Sequence, residues 1–240
     1  MTMKVLQTND EIKSARLELI KKGVSHVDQP DSRLKAGLRR LGLLRSVVIG
    51  DMVKSWDVLA TLNFLVNRLD KNDSVLDIGC YASEILLSLH QTGFTNLTGA
   101  DLNPALKKMP FSGKINYKIT NFMKTSFPDA SFKAITSISV IEHGFDGDAL
   151  LKEASRLLQP GGYFISSFDY WPEKIDTTGI KFFGMDWKIF SKEEVVGFVN
   201  DAAAYGLFPV GPMKFEGQDR PIDCADKQYT FGWLVLCKPT

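Results

Sequence analysis

The stretch Ser74-Val75-Leu76-Asp77-Ile78-Gly79-Cys80-Tyr81-Ala82-Ser83-Glu84 constrains this chain more than any other. Apolar residues run into an acid, a glycine and a short turn of small residues, and an apolar helical pattern follows from Ile85 to Leu89. That order predicts strand, tight turn, helix. Gly79 lets the backbone come close to a ligand, and the helix behind it points free N–H groups forward. Asp77 falls at the carboxyl end of the strand, where open parallel sheets bind ligands.

The flanking pattern extends this unit into a doubly wound α/β domain. Thr8-Asn9-Asp10-Glu11 reads as a capping box for a helix carrying Ile12, Ala15, Leu19 and Ile20. Leu38 to Ile49 includes Arg39, Arg40 and Arg45, readable as a solvated helix face or as holders of an anionic substrate group. Ser55 is placed to cap a helix with Leu59, Leu62, Val66 and Leu69 on one stripe. Strands are expected at Asn96 to Asp101, Ile115 to Thr120, Thr136 to Ile141 and Tyr163 to Phe168, with a helix opened by Asp148 and ended by Gln159-Pro160-Gly161-Gly162. A second capping box at Ser191 starts a helix that stops at Gly206, and two final strands follow near Phe208 to Phe215 and Tyr229 to Cys237. Helices alternating with aliphatic strands predict a mostly parallel sheet. Residues 1–70 read as a helical cap and residues 71–240 as the main domain.

The 71–240 segment resembles the class I S-adenosylmethionine-dependent methyltransferases. Their first motif is an acid-x-Gly-x-Gly-x-Gly loop; Asp77 and Gly79 are in place, while Tyr81 and Ser83 replace the later glycines. Tyr81 and Glu84 also break the G-x-G-x-x-G fingerprint of dehydrogenases. The resemblance implies a Rossmann-like, seven-stranded, mostly parallel sheet closed by an antiparallel hairpin, and S-adenosylmethionine as cofactor. Asp101, about twenty residues beyond Gly79, matches the acid that holds ribose hydroxyls, with helix capping as the plainer role. Asn121 stands where the family has an acid for the adenine amino group, with Phe122 as the apolar neighbour; its amide oxygen still accepts. Gly79, Cys80, Tyr81 and Leu102 complete the implied cofactor contacts. Lys54 and Trp56 precede the first domain helix, where the family brings an N-terminal segment over the cofactor; a packed aromatic and a surface lysine are the alternative. Val140-Ile141-Glu142-His143 is similar to the strand end of small-molecule methyltransferases, and the Asn/Asp-Pro-Pro-aromatic motif of base-modifying enzymes is absent.

Methyl transfer between a sulfonium and a hydroxyl needs in-line positioning, exclusion of water and a base. His143 is the candidate base, or else a histidine that shapes the pocket, with Asp169 and Tyr170 as backups on the next strand end. The aromatic, charged segment from Asp169 to Trp187 is expected to form the acceptor pocket. A formal charge of +1 gives no broad attraction to nucleic acid or membrane. Cys80, Cys224 and Cys237 contain no C-x-x-C pair, which argues against a disulfide framework or a zinc site and for a reducing cytoplasm. No secretory pattern and no membrane-spanning apolar run is seen. The expected activity is methylation of a small polar acceptor at oxygen, a sugar or glycan precursor being one such acceptor. The competing readings are an S-adenosylmethionine-binding module without turnover and an enzyme acting on a macromolecule.

Overall fold

The computed structural model describes residues 2–27 and 47–240, so Arg39, Arg40 and Arg45 lie outside the described residues. The N-terminal segment gives β1 (Met3–Val5), α1 (Asn9–Lys21) and, after a 3₁₀ turn at Met52–Lys54, α2 (Ser55–Val66). The alternating unit follows as β2 (Val75–Ile78), α3 (Ile85–Gln91), β3 (Leu97–Asp101), β4 (Ile115–Ile119), β5 (Phe132–Ile138), α4 (Gly147–Leu157) and β6 (Leu158–Tyr170). A small hairpin, β7 (Lys181–Phe182) and β8 (Met185–Asp186), precedes α5 (Lys192–Ala204), and β9 (Phe208–Pro209), β10 (Ile222–Cys224) and β11 (Lys227–Cys237) close the chain.

The main sheet runs β1-β11-β6-β5-β2-β3-β4. Strands β2 to β6 are parallel to their neighbours, while β11 is antiparallel to β6. The expected doubly wound sheet with antiparallel closure is therefore present. Its outer edge is built differently from the expected hairpin. Of the strand expected over Phe208 to Phe215 only Phe208 and Pro209 pair with β11; β1 also pairs with it, with Met3 opposite Leu234 and Val5 opposite Gly232, and β10 forms a hairpin with its first residues. Pro209 and Pro212 have no N–H to give a ladder. The Pro212 carbonyl still accepts from Thr2 N–H at 2.9 Å, so the segment lies outside β1 rather than against β11.

One sheet face is covered by α4 and α5 through Leu150, Leu151, Val195 and Phe198, the other by α2 and α3 through Val58, Leu62, Ile85 and Leu89. Each such buried side chain contributes about 1.5–3 kcal/mol. A third apolar group, with Ile12, Trp187, Tyr229 and Phe231, roofs the carboxyl end of β6 and the amino end of β11. Local start signals are partly displaced: Asp146 rather than Asp148 caps α4, accepting from Ala149 N–H at 3.1 Å. Ser55 lies inside α2, where its hydroxyl accepts from Arg16 Nε at 3.0 Å. The turn after β3 is a 3₁₀ segment, Pro104–Lys108, capped by Asn103.

Candidate functional site

The acids singled out in the sequence divide into two groups along the carboxyl edge of the sheet. The first surrounds the turn after β2. Gly79 has φ +65°, and a Cβ there would come within 2.4 Å of Val140 Cγ2, so both conformation and space demand glycine. The second left-handed residue of the turn is Ala82, φ +63°, which is why Tyr81 and Ser83 fit where the family motif has glycine. Asp101 ties the turn to β3: its Oδ2 accepts Tyr81 N–H at 2.9 Å and its Oδ1 accepts Asn103 N–H at 2.8 Å. Each oxygen retains a second acceptor site. Asp77 is buried, with Oδ1 accepting the Thr136 hydroxyl at 2.6 Å and Oδ2 without a partner. Burial, opposed by the Thr136 hydrogen bond, pushes its carboxyl up to about 7.

Cys80 is a correction to the expected cofactor contacts as far as its side chain goes. The thiol is buried under β3, so close to Gly99 that a Cβ there would meet Sγ at 2.6 Å, and burial drives it well above the usual thiol range. Only its main chain can face a ligand. Leu102 is exposed beside Asp101. Asn121 is close by, because Thr120 N–H donates to Asp101 O at 3.0 Å; its own Oδ1 accepts Met123 N–H at 2.9 Å. Phe122 is half-buried against the α4 side of the core.

A clamp that the sequence did not reveal holds this turn. Glu84, at the start of α3, forms a two-point ion pair with Arg16 of α1, at 2.7 Å and 3.1 Å, with side chains 1% and 4% exposed. Glu84 also accepts His26 N–H at 3.0 Å, and Gly50 N–H donates to Ala82 O at 2.7 Å. The N-terminal segment is thus fastened onto the glycine turn by buried hydrogen bonds.

The second group lies at the ends of β5, β6 and β11. Asp169 and Ser167 share one face of β6, and Phe231 stands opposite Asp169 on β11. Over them sits the 52–57 segment. Lys54 Nζ is 3.7 Å from the Phe231 ring centre and 3.8 Å from Asp169 Oδ1, and Asp57 Oδ2 accepts the Ser167 hydroxyl at 2.7 Å. Lys54 is therefore an internal cation rather than a surface lysine, and Trp56 is half-buried between two core groups. Asp169 Oδ2 accepts Trp187 Nε1 at 2.7 Å. Glu142 is buried with Oε2 unpartnered. Burial, reinforced by neighbouring Asp169, pushes the Glu142 carboxyl well above its ordinary value, and burial raises Asp169 against the pull of Lys54. Asp57 is raised to about 6 for the same reason, again opposed by Lys54.

His143 follows Glu142. Its ring meets Phe183 at 5.5 Å and Phe182 at 6.1 Å between centres, and its Nδ1 is buried without a partner. Desolvation lowers its pKa, overriding the opposing pull of Asp169, so the imidazole is neutral near pH 7. The return of the 171–190 segment is stitched on by Lys188 N–H donating to Glu142 O at 2.8 Å. Tyr170 does not belong here. One residue beyond Asp169, it faces the opposite side of β6, fully buried, and its hydroxyl donates to Phe215 O at 2.8 Å. A cavity of about 650 Å³ adjoins this group, lined by Ile141, Gly144, Phe145, Trp187 and Phe198 among others; none of Asp77, Gly79 or Asp101 lines it. Among the described residues no group of three His, Cys, Asp or Glu is placed to hold a metal ion, and no helix is long and apolar enough to cross a membrane.

Residues 76–166 match the family model described as a methyltransferase domain, which spans both acid groups except Asp57 and Asp169. Over those residues the chain is similar to the S-adenosylmethionine-dependent methyltransferases. Over 120 residues it is 30% identical to a ubiquinone biosynthesis O-methyltransferase of Xanthomonas oryzae pv. oryzae, covering 46% of this chain and 50% of that protein. Over 108 residues it is 31% identical to a 2-methyl-6-phytyl-1,4-hydroquinone methyltransferase of Synechocystis sp., covering 42% and 33% respectively. The chain thus spans half or less of the length of these curated relatives. Among solved structures, the Burkholderia thailandensis 1,6-didemethyltoxoflavin-N1-methyltransferase, with bound 1,6-didemethyltoxoflavin and S-adenosylhomocysteine, shares the fold at TM-score 0.59 and 17% identity over 89% of this chain and 94% of that one.

Proposed function

We propose that this methyltransferase domain moves the methyl group of S-adenosylmethionine to a hydroxyl of a small polar acceptor, with His143 as the base. One observation carries the choice of base: a neutral imidazole whose buried Nδ1 has no partner, in the turn that follows β5 and next to buried Glu142. The residues present fit the cofactor. The left-handed Gly79, the unpartnered Asp77 Oδ2 and the spare acceptor sites of Asp101 make a cradle for an aminoacyl end and a ribose, and Leu102, Asn121 and Phe122 flank it for adenine. S-adenosylmethionine supplies a methyl carbon on a positively charged sulfur, which leaves as a neutral thioether. The chain's own part is positional: Phe182 and Trp187, packed edge to face, exclude water, and His143 Nδ1 takes the hydroxyl proton as oxygen forms its bond to carbon. The Asp169 carboxylate beside it stabilises the imidazolium so formed.

Oxygen as acceptor atom is supported by similarity to the ubiquinone biosynthesis O-methyltransferase. A small acceptor, rather than nucleic acid or membrane, agrees with the balanced charge, and the free state of Cys80, Cys224 and Cys237 agrees with the cytoplasm. Residues 1–70 act in this reading as the cap that brings Lys54 and Trp56 to the site. Calorimetric titration with S-adenosylmethionine and S-adenosylhomocysteine tests the cofactor: both bind the intact protein, and Asp101→Ala weakens both. Binding with no S-adenosylhomocysteine formed across a broad acceptor panel would instead leave a binding module.

A further inference from the structure

We infer that the acceptor carries a protonated amine, seated between Glu142 and Asp169, as well as the hydroxyl that is methylated. The inference rests on the methyl-transfer reading and adds the charge of the substrate. The ammonium of Lys54 pairs with Asp169 at 3.8 Å, and its charge also bears on buried Asp57 and Glu142. Asp57 is satisfied by the Ser167 hydroxyl and by Val58 N–H. Glu142 Oε2 and Asp169 Oδ1 are not: both are enclosed, on residues 1% and 4% exposed, without a hydrogen bond. Buried carboxylate oxygens in that state need donors or positive charge.

A second observation shows what kind of ligand the place accepts. The ammonium of Lys54 already rests 3.7 Å from the Phe231 ring centre, so the wall opposite Asp169 is an aromatic face that holds a cation. Trp187 and Tyr229 extend that wall, their rings 5.6 Å apart. Lys54 is a single-point partner at 3.8 Å from Asp169 and makes no hydrogen bond to Glu142, so Glu142 Oε2 and Asp169 Oδ1 are left without a hydrogen-bond donor. Among the described residues the group lacks the geometry for a metal ion, so an organic ammonium is the cation that fits. Held there by charge-assisted hydrogen bonds, a hydroxylated amine would present its hydroxyl toward His143, the neighbour of Glu142.

The test uses one skeleton in three charge states: dopamine, 4-ethylcatechol and 3,4-dihydroxyphenylacetate, titrated calorimetrically into the full chain with and without S-adenosylhomocysteine. The amine is expected to bind about tenfold or more tighter than the neutral compound, with the acid weakest, and Glu142→Gln is expected to remove that preference. Asp169→Asn, which keeps an acceptor for Trp187 Nε1, provides a second variant, and melting curves establish that both fold. Equal affinity across the set, binding of none of the three, or a preference that survives in both variants overturns the inference. The S-adenosylhomocysteine titration reads the cofactor site separately, so the absence of an amine preference in the unmutated chain, with intact cofactor binding, rejects the amine seat alone.

Discussion

The two acid groups on the carboxyl edge of the sheet are finished to different degrees. Around Gly79, Asp101 has a main-chain N–H on each oxygen, Glu84 has both oxygens on Arg16, and Asp77 leaves a single oxygen open. Around His143, Glu142 and Asp169 each leave a buried oxygen open, and Lys54 reaches only Asp169, at 3.8 Å. The first group is built from consecutive turns and backbone donors, which stay in place whatever is bound. The second is built from side chains of four distant segments and is electrostatically incomplete. In the function proposed above, the half that would meet an invariant cofactor is preassembled, and the half that would select the acceptor is left to be completed by it.

The sharpest way to break this division is at the base. His143→Ala is expected to lower kcat by about 10²–10⁴-fold while S-adenosylhomocysteine affinity is retained, read by turnover and calorimetry on one preparation. Because burial lowers the His143 pKa, the intact enzyme should hold its rate from alkaline to neutral pH and lose it only below 6.5. Next comes the clamp on the other half. Arg16→Met leaves Glu84 buried without its partner, and urea unfolding should show a loss of about 3–5 kcal/mol. Asp57→Asn sharpens the contrast in the opposite direction. The folded carboxyl titrates at about 6 against 3.8 for the free group, so its contribution to stability is complete below 3.8 and lost as pH rises through 6. The variant should therefore be more stable above pH 6, by up to about 3 kcal/mol, and equal to wild type in acid. The smallest effect belongs to Ala82→Gly, where relief of a left-handed alanine offsets the added freedom of glycine; a gain of about 0.5 kcal/mol is expected in the same unfolding assay.

The half that was legible in the sequence is the half made of local structure. Strand, acid, glycine and helix are contiguous, so Asp77, Gly79 and Asp101 could be placed from spacing; Glu142-His143, expected at the end of a strand running to Ile141, lie instead in the turn after β5, which stops at Ile138. Face assignments were less accessible. Tyr170 follows Asp169 by one residue, and one step along a strand reverses the direction of the side chain. Cys80 turns inward because the backbone is left-handed at Gly79 immediately before it. Arg16 meets Glu84 across 68 residues and Asp57 meets Ser167 across 110, separations over which no periodicity carries information. A buried arginine on α1 and an aspartate in the first turn of α2 look in the sequence like ordinary helix-surface charges. The closing edge was misjudged for a chemical reason visible in hindsight, since Pro209 and Pro212 forbid a continuous ladder there and β1 supplies one.

The placement of β1 also bears on the order in which the molecule can be completed during synthesis. Leu6 O accepts the Thr230 hydroxyl from a residue 224 positions later, and among the described residues β1 has no partner strand other than β11. On the ribosome the first strand must wait, unpaired, until nearly the whole of the described chain has emerged. Lys54 waits with it, because the aromatic ring beneath its ammonium, Phe231, belongs to that same last strand. The glycine turn can form on a nascent chain, but the acceptor half becomes a site only when the final strand slides between β6 and β1.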